Sequence, residues 1–134
     1  MLSRKYNGSK KLKVNNQSKV YDLKKRAYLY ALEVIKFLEA LPQNYIAQTI
    51  GKQLLRSATS IGANIVEAQA ASSRNDFRNF YSYALKSANE SKFWLGLLKD
   101  SSKYDNDKIS SILDETSELA NILASCILTI KDKK

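Results

Sequence analysis

Four long stretches of the sequence repeat apolar residues at alternating intervals of three and four positions. They cover residues 23–41, 50–68, 77–98 and 109–130. This spacing places the apolar side chains on one face of an α-helix, and it does not fit the alternation of two that a half-buried strand requires. The sequence therefore predicts four amphipathic helices.

Residues that typically begin or end helices lie mainly between these four stretches. The 134 residues include only one Pro and four Gly, which argues against a turn-rich β domain. Pro42 ends the first helix, because proline cannot continue a helix beyond its first turn. Ser73, with Asp76 three positions later, resembles a capping box. The polar segment 100–107 precedes the last helix and offers Asp105 or Asp107 as its N-cap.

Helices of this length joined by short loops pack as antiparallel neighbours. The predicted fold is therefore all-α: an antiparallel up-down-up-down four-helix bundle over residues 21–134, preceded by a flexible basic arm over residues 1–20. The second helix is predicted over residues 45–69. Gly51 and Gly62 lie inside it, where each costs up to about 1 kcal/mol relative to Ala, so we expect another helix to approach closely there.

The arm holds most of the net charge. Residues 1–20 contain six basic residues and no acidic one, which leaves only +3 of the total +9 for residues 21–134. The arm is rich in Asn, Ser and Gly and has few apolar residues, a composition typical of disorder. Such arms bind polyanions by releasing counterions, although a basic tail can also serve only for solubility. The predicted nucleic-acid-binding residues are Arg4, Lys5, Lys10, Lys11, Lys13, Lys19, Lys24, Lys25 and Arg26.

No catalytic arrangement is found in the sequence. It has no His, which removes the commonest general base and metal ligand, and its single Cys cannot form a zinc site or an internal disulfide. No glycine-rich phosphate-binding motif is present. We therefore predict a protein that is not an enzyme and has no cofactor or metal. Cys126 is predicted to be a buried small hydrophobe, reduced in a cytoplasmic protein, because no signal peptide or membrane span is apparent.

A polar stripe runs along the second predicted helix beside its apolar face. Arg56, Ser60, Asn64 and Glu67 recur at intervals of four, four and three, which places them on one side. The stripe either forms a hydrogen-bonded network that fixes helix register or oligomeric state, or presents Arg56 to a partner or polyanion. Arg56 and Glu67 are too far apart to pair within one helix, so we expect their partners on another helix or another subunit.

Several large apolar side chains fall outside the main stripes. They are Tyr28, Tyr83, Phe93 and Leu97, and a second stripe on the third helix contains Phe80, Ser87 and Trp94. This is more apolar surface than a monomeric bundle needs. It predicts self-association, and the alternative is that the aromatic rings are platforms on which bases stack.

Three segments together resemble a known family. They are residues 55–68 (LRSATSIGANIVEA), 72–77 (SSRNDF) and 84–90 (ALKSANE). They resemble the bacterial four-helix-bundle proteins encoded by intervening sequences in large-subunit ribosomal RNA genes, a group that includes the accessory variability determinant of diversity-generating retroelements. The matching positions are Arg56, Ser60, Ile61, Asn64, Ile65 and Glu67 in the second helix and Arg74, Phe77, Ser87 and Glu90 in the third.

The resemblance covers residues 21–130 and implies a bundle that assembles as a ring-like homo-oligomer, a pentamer, with basic surfaces suited to RNA or DNA. In the retroelement branch the protein works with a reverse transcriptase. The sequence departs from the commonest form at Gly62, Ala68 and Lys86, which indicates a subgroup. Two functions are therefore predicted: a non-enzymatic oligomer that binds nucleic acid, or a protein-interaction or structural accessory module, for example a partner of a reverse transcriptase.

Overall fold

The computed structural model describes residues 16–101, 104 and 106–132, with side chains between residues 23 and 130. Four α-helices make up this part of the chain: α1 (Asn16–Glu39), α2 (Tyr45–Gln69), α3 (Arg74–Asp100) and α4 (Asn106–Asp132). Each helix packs against the next one, and α1 also packs against α4, which closes the arrangement into a bundle. The predicted all-α four-helix bundle is confirmed.

Contacts between α1 and α4 show that neighbouring helices run in opposite directions. Arg26, early in α1, contacts Glu118, whereas Glu33, later in α1, contacts Lys108, which comes earlier in α4. The two helices are therefore antiparallel. The same up-down order follows for the other pairs, because short loops join them.

Close approach between α1 and α2 occurs at both glycines of α2. A Cβ atom added at Gly62 would lie 3.4 Å from the Cβ of Ala27, and one added at Gly51 would lie 3.2 Å from Cδ2 of Leu38. The close helix–helix approach predicted at these positions is therefore present, and α1 is the helix that approaches. A side chain at Gly51 would require Leu38 to move.

Side-chain caps hold the starts of α2 and α3. The Asn44 side-chain oxygen accepts a hydrogen bond from the Ala47 N–H at 2.9 Å. The Ser73 hydroxyl accepts one from the Asp76 N–H at 3.0 Å, as the capping-box pattern predicts. The Asp76 carboxylate in turn accepts from the Ser72 hydroxyl. These bonds satisfy N–H groups that a helix start otherwise leaves unpaired.

The first helix begins closer to the N-terminus than predicted. Its backbone is helical from Asn16, five residues inside the segment assigned to the basic arm. Residues 1–15 lie outside the described residues, as does Asp105, one of the two caps predicted for the last helix. Asp107, the other, lies in the first turn of α4.

The four predicted apolar stripes meet in one core along the bundle axis. Its largest fully buried apolar side chains come from every helix: Leu23, Val34, Leu54, Ile61, Ile65, Tyr81, Leu95, Leu98, Ile109, Leu119 and Leu123. Stripe members near the helix ends, such as Ile50 and Phe77, are half-buried.

Cys126 is also half-buried, so the prediction of a buried residue there holds only in part: it packs against the core but does not lie within it.

A buried layer of hydroxyl groups crosses this core, and each helix contributes one member. Tyr30 of α1 lies 2.7 Å from the Thr116 hydroxyl of α4, and Ser57 of α2 lies 2.8 Å from the Ser91 hydroxyl of α3. The Thr116 hydroxyl donates to the Ile112 carbonyl one turn earlier, so it accepts from the Tyr30 hydroxyl. Ser57 and Ser91 each also have a backbone carbonyl of their own helix within reach, at 3.3 and 2.9 Å, so either hydroxyl can donate to the other. A polar layer satisfied in this way ties the four helices to one axial register.

Candidate interaction surfaces

Basic side chains gather at one end of the bundle. The antiparallel order places the starts of α1 and α3 and the ends of α2 and α4 together there. Lys24 and Lys25, just over two turns into α1, and Arg74, at the start of α3, are exposed. The acidic residues Glu67 and Asp76 lie at the same end, so we describe this basic end as a mixed surface with an excess of positive charge.

The arm residues predicted to bind nucleic acid precede this end in the chain. Arg4, Lys5, Lys10, Lys11 and Lys13 lie outside the described residues. Lys19 belongs to the helical backbone of α1, but its side chain is outside the described ones. The arm nevertheless joins α1 at Asn16, so its attachment point is at the basic end.

Arg26 does not contribute to this surface. Only 11% of its side chain is exposed, and its Nε and Nη2 donate to both oxygens of Glu115 at 3.0 and 2.8 Å, while Nη2 also donates to Glu118 at 2.9 Å. Burial opposes the charge, but these hydrogen bonds and the attraction of the carboxylates outweigh it and raise the pKa of the guanidinium. The structure therefore gives Arg26 a structural role, joining α1 to α4, in place of the predicted nucleic-acid contact.

Arg56 of the polar stripe finds its partner on another helix of the same chain. Its Nη2 donates to Glu90 on α3 and, at 3.1 Å, to Gln53 on α2. Glu90 also accepts from the indole N–H of Trp94 at 3.0 Å. Arg56 and Glu90, two positions of the family motif, are thus brought together across the interface between α2 and α3. We call each such interface between neighbouring helices a seam.

The other stripe members do not extend this link. The Ser60 hydroxyl donates to the Arg56 carbonyl at 2.7 Å, and the Asn64 amide donates to the Ser60 carbonyl at 2.9 Å, so both bond to their own helix. Glu67 and Arg74 are exposed near the basic end. The stripe therefore does not form a continuous hydrogen-bonded network between helices. Among the described residues, its link from α2 to α3 is the pair of Arg56 and Glu90.

The outer face of α3 is exposed and apolar. Tyr83, Phe93 and Leu97 are exposed, and Trp94 beside them is half-buried. The Phe93 and Trp94 rings meet edge to face with centroids 5.0 Å apart. The exposure predicted for these side chains is found, and they form a surface that a partner can cover.

A second apolar surface is the α1–α2 groove. It has a volume of about 330 Å³ and a floor of small residues, where Ala27 and Ala31 face Gly62 and Ala63. Tyr28 and Val66 line its sides, and Lys24 and Lys25 line it at one end. The position of Tyr28 outside the apolar stripe of its helix predicts its exposure but not a groove, because the groove depends on which helix lies beside α2.

The residues that the structure describes contain no group of three or more His, Cys, Asp or Glu side chains that could hold a metal ion. Tyr81 is fully buried, its hydroxyl lacks a hydrogen-bond partner within that part of the chain, and burial raises its pKa. Its ring packs against Phe77 at 4.6 Å between centroids, which makes it a core residue.

Among the described residues, no helix contains an apolar stretch long enough to cross a lipid bilayer.

Two features were missed by reasoning from sequence. Ser91 and Thr116 lie within the predicted apolar stretches 77–98 and 109–130, but nothing in the spacing shows that Ser57 and Tyr30 meet them. The acidic residues Glu115 and Glu118 similarly carry no sign of their partner on α1. A polar residue inside an otherwise apolar stripe is the signal that points to such a layer.

Comparison with known proteins finds a matching family model and a similar crystal structure. A family model described as the 23S rRNA-intervening sequence protein matches residues 19–125. A crystal structure of a protein of unknown function from the S23 ribosomal protein family, from Bacteroides thetaiotaomicron, is 36% identical, and the match covers 81% of this chain and 97% of that one with a TM-score of 0.75. No curated protein matches the chain. The matched residues include all of α2 and α3 and the Arg56–Glu90 pair.

Proposed function

This chain belongs to the 23S rRNA-intervening sequence protein family, and from that premise we propose that it is a non-enzymatic, oligomeric helical bundle that binds RNA or DNA through its basic end and arm. The observation that carries this proposal is topological. The antiparallel order brings the attachment point of an arm without acidic residues to the end where Lys24, Lys25 and Arg74 are exposed.

The proposed contacts are to phosphates. Residues 1–20 hold +6 of the net charge of +9, and flexible lysine and arginine side chains neutralise phosphates without reading bases. Binding of this kind weakens with salt, with a slope of about −0.9 per phosphate contact on duplex DNA and about −0.7 on single strands. The protein then binds with little sequence preference.

Self-association completes the proposal. The exposed apolar outer face of α3, with Tyr83, Phe93 and Leu97, supports a contact between copies. In a closed ring, for which we propose a pentamer, cyclic symmetry places every basic end on the same side. Several arms then meet one nucleic acid, and their combined affinity exceeds that of one arm. We propose that the protein acts in the cytoplasm.

A second candidate function is a protein-interaction module, for example an accessory to a reverse transcriptase. The α1–α2 groove favours it, because an apolar concavity of about 330 Å³ is poorly suited to a phosphate backbone. A defined protein partner that stays bound after nuclease treatment and at high salt would favour this candidate over nucleic-acid binding.

Deletion of residues 1–15 tests the leading proposal and leaves α1 intact from its first helical residue. We expect the deletion to weaken binding of single-stranded RNA and duplex DNA of about 20 nucleotides at least tenfold at about 50 mM salt, and to reduce the salt slope. Fluorescence anisotropy measures both quantities. Unchanged affinity and slope would remove the arm from the proposal.

A paired substitution locates the contact on the bundle. Lys24→Ala with Arg74→Ala should weaken binding a further three- to tenfold, on the order of one or two phosphate contacts. The matched control is Lys99→Ala, an exposed lysine at the opposite end of the bundle. Light scattering of the same samples measures the assembly, and a monomer would contradict the oligomeric part of the proposal.

A further inference from the structure

The proposed nucleic-acid contacts involve the arm and the basic end, and the proposed contact between copies involves the outer face of α3, so neither proposal uses the apolar floor of the α1–α2 groove. We propose that it binds an amphipathic α-helix of a partner protein that carries acidic residues at one end. This inference deepens the second candidate function, the protein-interaction module, and does not depend on nucleic-acid binding.

The floor of the groove suits a helix because its residues are small. Ala31, Gly62 and Ala63 leave room for side chains of an incoming helix to enter between α1 and α2. Close helix–helix approach requires such small residues at the contact. A third helix can therefore lie against both α1 and α2.

The apolar surface extends well beyond the groove itself. Leu55, Gly62 and Val66 lie on the same side of α2 at intervals of seven and four, and Tyr28 and Leu32 lie one turn apart on α1. All four large side chains among these are exposed. The eleven residue steps from Leu55 to Val66 span about 16 Å at 1.5 Å per residue, or three helical turns. This length matches the apolar ridge of a short helix better than it matches one small molecule.

The charge of the groove lining indicates the charge of the partner. Lys24 and Lys25 line one end of the groove, and none of its lining residues is acidic. An incoming helix with carboxylates at that end gains attraction there while its apolar ridge covers the rest. A nucleic acid fits less well, because its phosphates would lie over apolar side chains that cannot solvate them.

A second copy of this chain does not offer the required face. The exposed acidic residues of α4, Asp107, Asp114 and Glu118, are interspersed with Ser110 and Ser111, so that face has negative charge without an apolar ridge. The apolar outer face of α3 has the ridge, but Lys86 and Glu90 lie within it, and Lys99 and Asp100 follow it together, so its charge is mixed. The α4 face lacks a ridge and the α3 face does not present acidic residues alone, so the groove fits a different protein better.

Synthetic peptides of about fourteen residues test the proposal. One peptide has leucines at helical spacings of four, three and four and glutamates at one end, and its matched control has lysines in place of those glutamates. Anisotropy titrations with the full-length protein should show at least tenfold tighter binding of the acidic peptide. Ala63→Trp, which fills the groove from an exposed position, should weaken that binding at least tenfold.

Reversing the charge of one lysine at the groove should have opposite effects on the two peptides. Lys24→Glu should weaken the acidic peptide and strengthen the lysine peptide, whereas Lys99→Glu, at the far end of α3, should change neither. Circular dichroism and thermal melting check folding, and Tyr28→Ala replaces Ala63→Trp if the latter does not fold. Equal binding of both peptides, or binding that Ala63→Trp leaves unchanged, would overturn the proposal.

Other occupants give different results, and each of them would also overturn the proposal. If a second copy fills the groove, Ala63→Trp changes the mass of the assembly. If nucleic acid fills it, Ala63→Trp weakens RNA binding and the peptides do not bind. Deletion of residues 1–15 should leave peptide binding unchanged, so a failure of this proposal is distinguishable from a failure of nucleic-acid binding.

Discussion

Two arginines join helices across two different seams of the bundle, and their surroundings differ sharply. Arg26 links α1 to α4 through Glu115 and Glu118 and is 11% exposed. Arg56 links α2 to α3 through Glu90 and is 59% exposed. The α2–α3 seam is also the most extensive helix contact of the bundle, whereas the α1–α4 seam is the smallest of the four.

This difference indicates that the arginine of the family motif is not the arginine that contributes most to the stability of the fold. Exposed ion pairs contribute at most about 1 kcal/mol, because water screens them and the side chains lose freedom. A nearly buried arginine with three hydrogen bonds leaves its partners unsatisfied when it is removed. Arg26, which lies outside the family motif, should therefore matter more for folding, and Arg56 more for what the surface contacts.

The largest effect is expected from Arg26→Ala. It removes three charge-assisted hydrogen bonds from the smallest seam and leaves the half-buried Glu115 without its counterion. The free energy of unfolding should fall by about 2 kcal/mol, measured by urea denaturation. Lys24→Ala, an exposed position close by on α1, is the control and should change stability by less than about 0.5 kcal/mol. Equal losses in the two variants would remove the distinction drawn between the seams.

The dependence of stability on alkaline pH tests the α1–α4 seam, because Tyr30 lies in it and contacts Thr116. Burial raises the pKa of Tyr30 to about 12, although hydrogen bonds to Thr116 and Ser91 act in the opposite direction. Because the pKa is higher in the folded than in the unfolded state, the stabilisation is complete below about pH 10 and is lost as pH rises from there towards 12.

Replacing Tyr30 by Phe removes one titrating group from that window. Tyr30→Phe should cost about 1 kcal/mol at neutral pH, since the bond to Thr116 is lost, and the loss of stability between pH 10 and 12 should become shallower. Tyr28→Phe, at an exposed position, is the control. An unchanged alkaline slope would show that the Tyr30 hydroxyl is not the group responsible.

The smallest effect on stability is expected from Arg56→Ala. The pair with Glu90 is exposed, so the free energy of unfolding should change by less than about 1 kcal/mol. If the pair instead arranges Trp94 for contacts between copies, assembly measured by light scattering should weaken although the helices remain folded. Glu90→Gln keeps the hydrogen bond to Trp94 possible and should therefore affect assembly less than Arg56→Ala does.

Much of the fold follows from local pattern. The predicted bounds of the second helix, residues 45–69, agree with those of α2, because a proline precedes it and the apolar period is uninterrupted. Ser73 was identifiable as a cap from its spacing to Asp76. The start of α1 was placed five residues late, since residues 16–20 lack the apolar stripe on which the prediction depended.

The candidate surfaces were predictable only in part. Exposure of Tyr28, Tyr83, Phe93 and Leu97 follows from their positions outside the apolar stripes. Periodicity assigns a residue to a face of its own helix, but it does not say which helix lies opposite. The α1–α2 groove depends on that neighbour and so could not be derived from the spacing.

By itself the sequence determined the four helices, their antiparallel order, the family and the location of most of the positive charge, because these depend on residues that are close together in the chain. Only the tertiary structure decided that Arg26 is an internal link and that Lys24 remains at the surface. The two residues are two positions apart, but Arg26 meets carboxylates 89 and 92 residues further on. A charged side chain stabilises the fold when a distant helix supplies its partner and shields it from water. The local spacing of residues shows neither which helix lies opposite nor how far it excludes water.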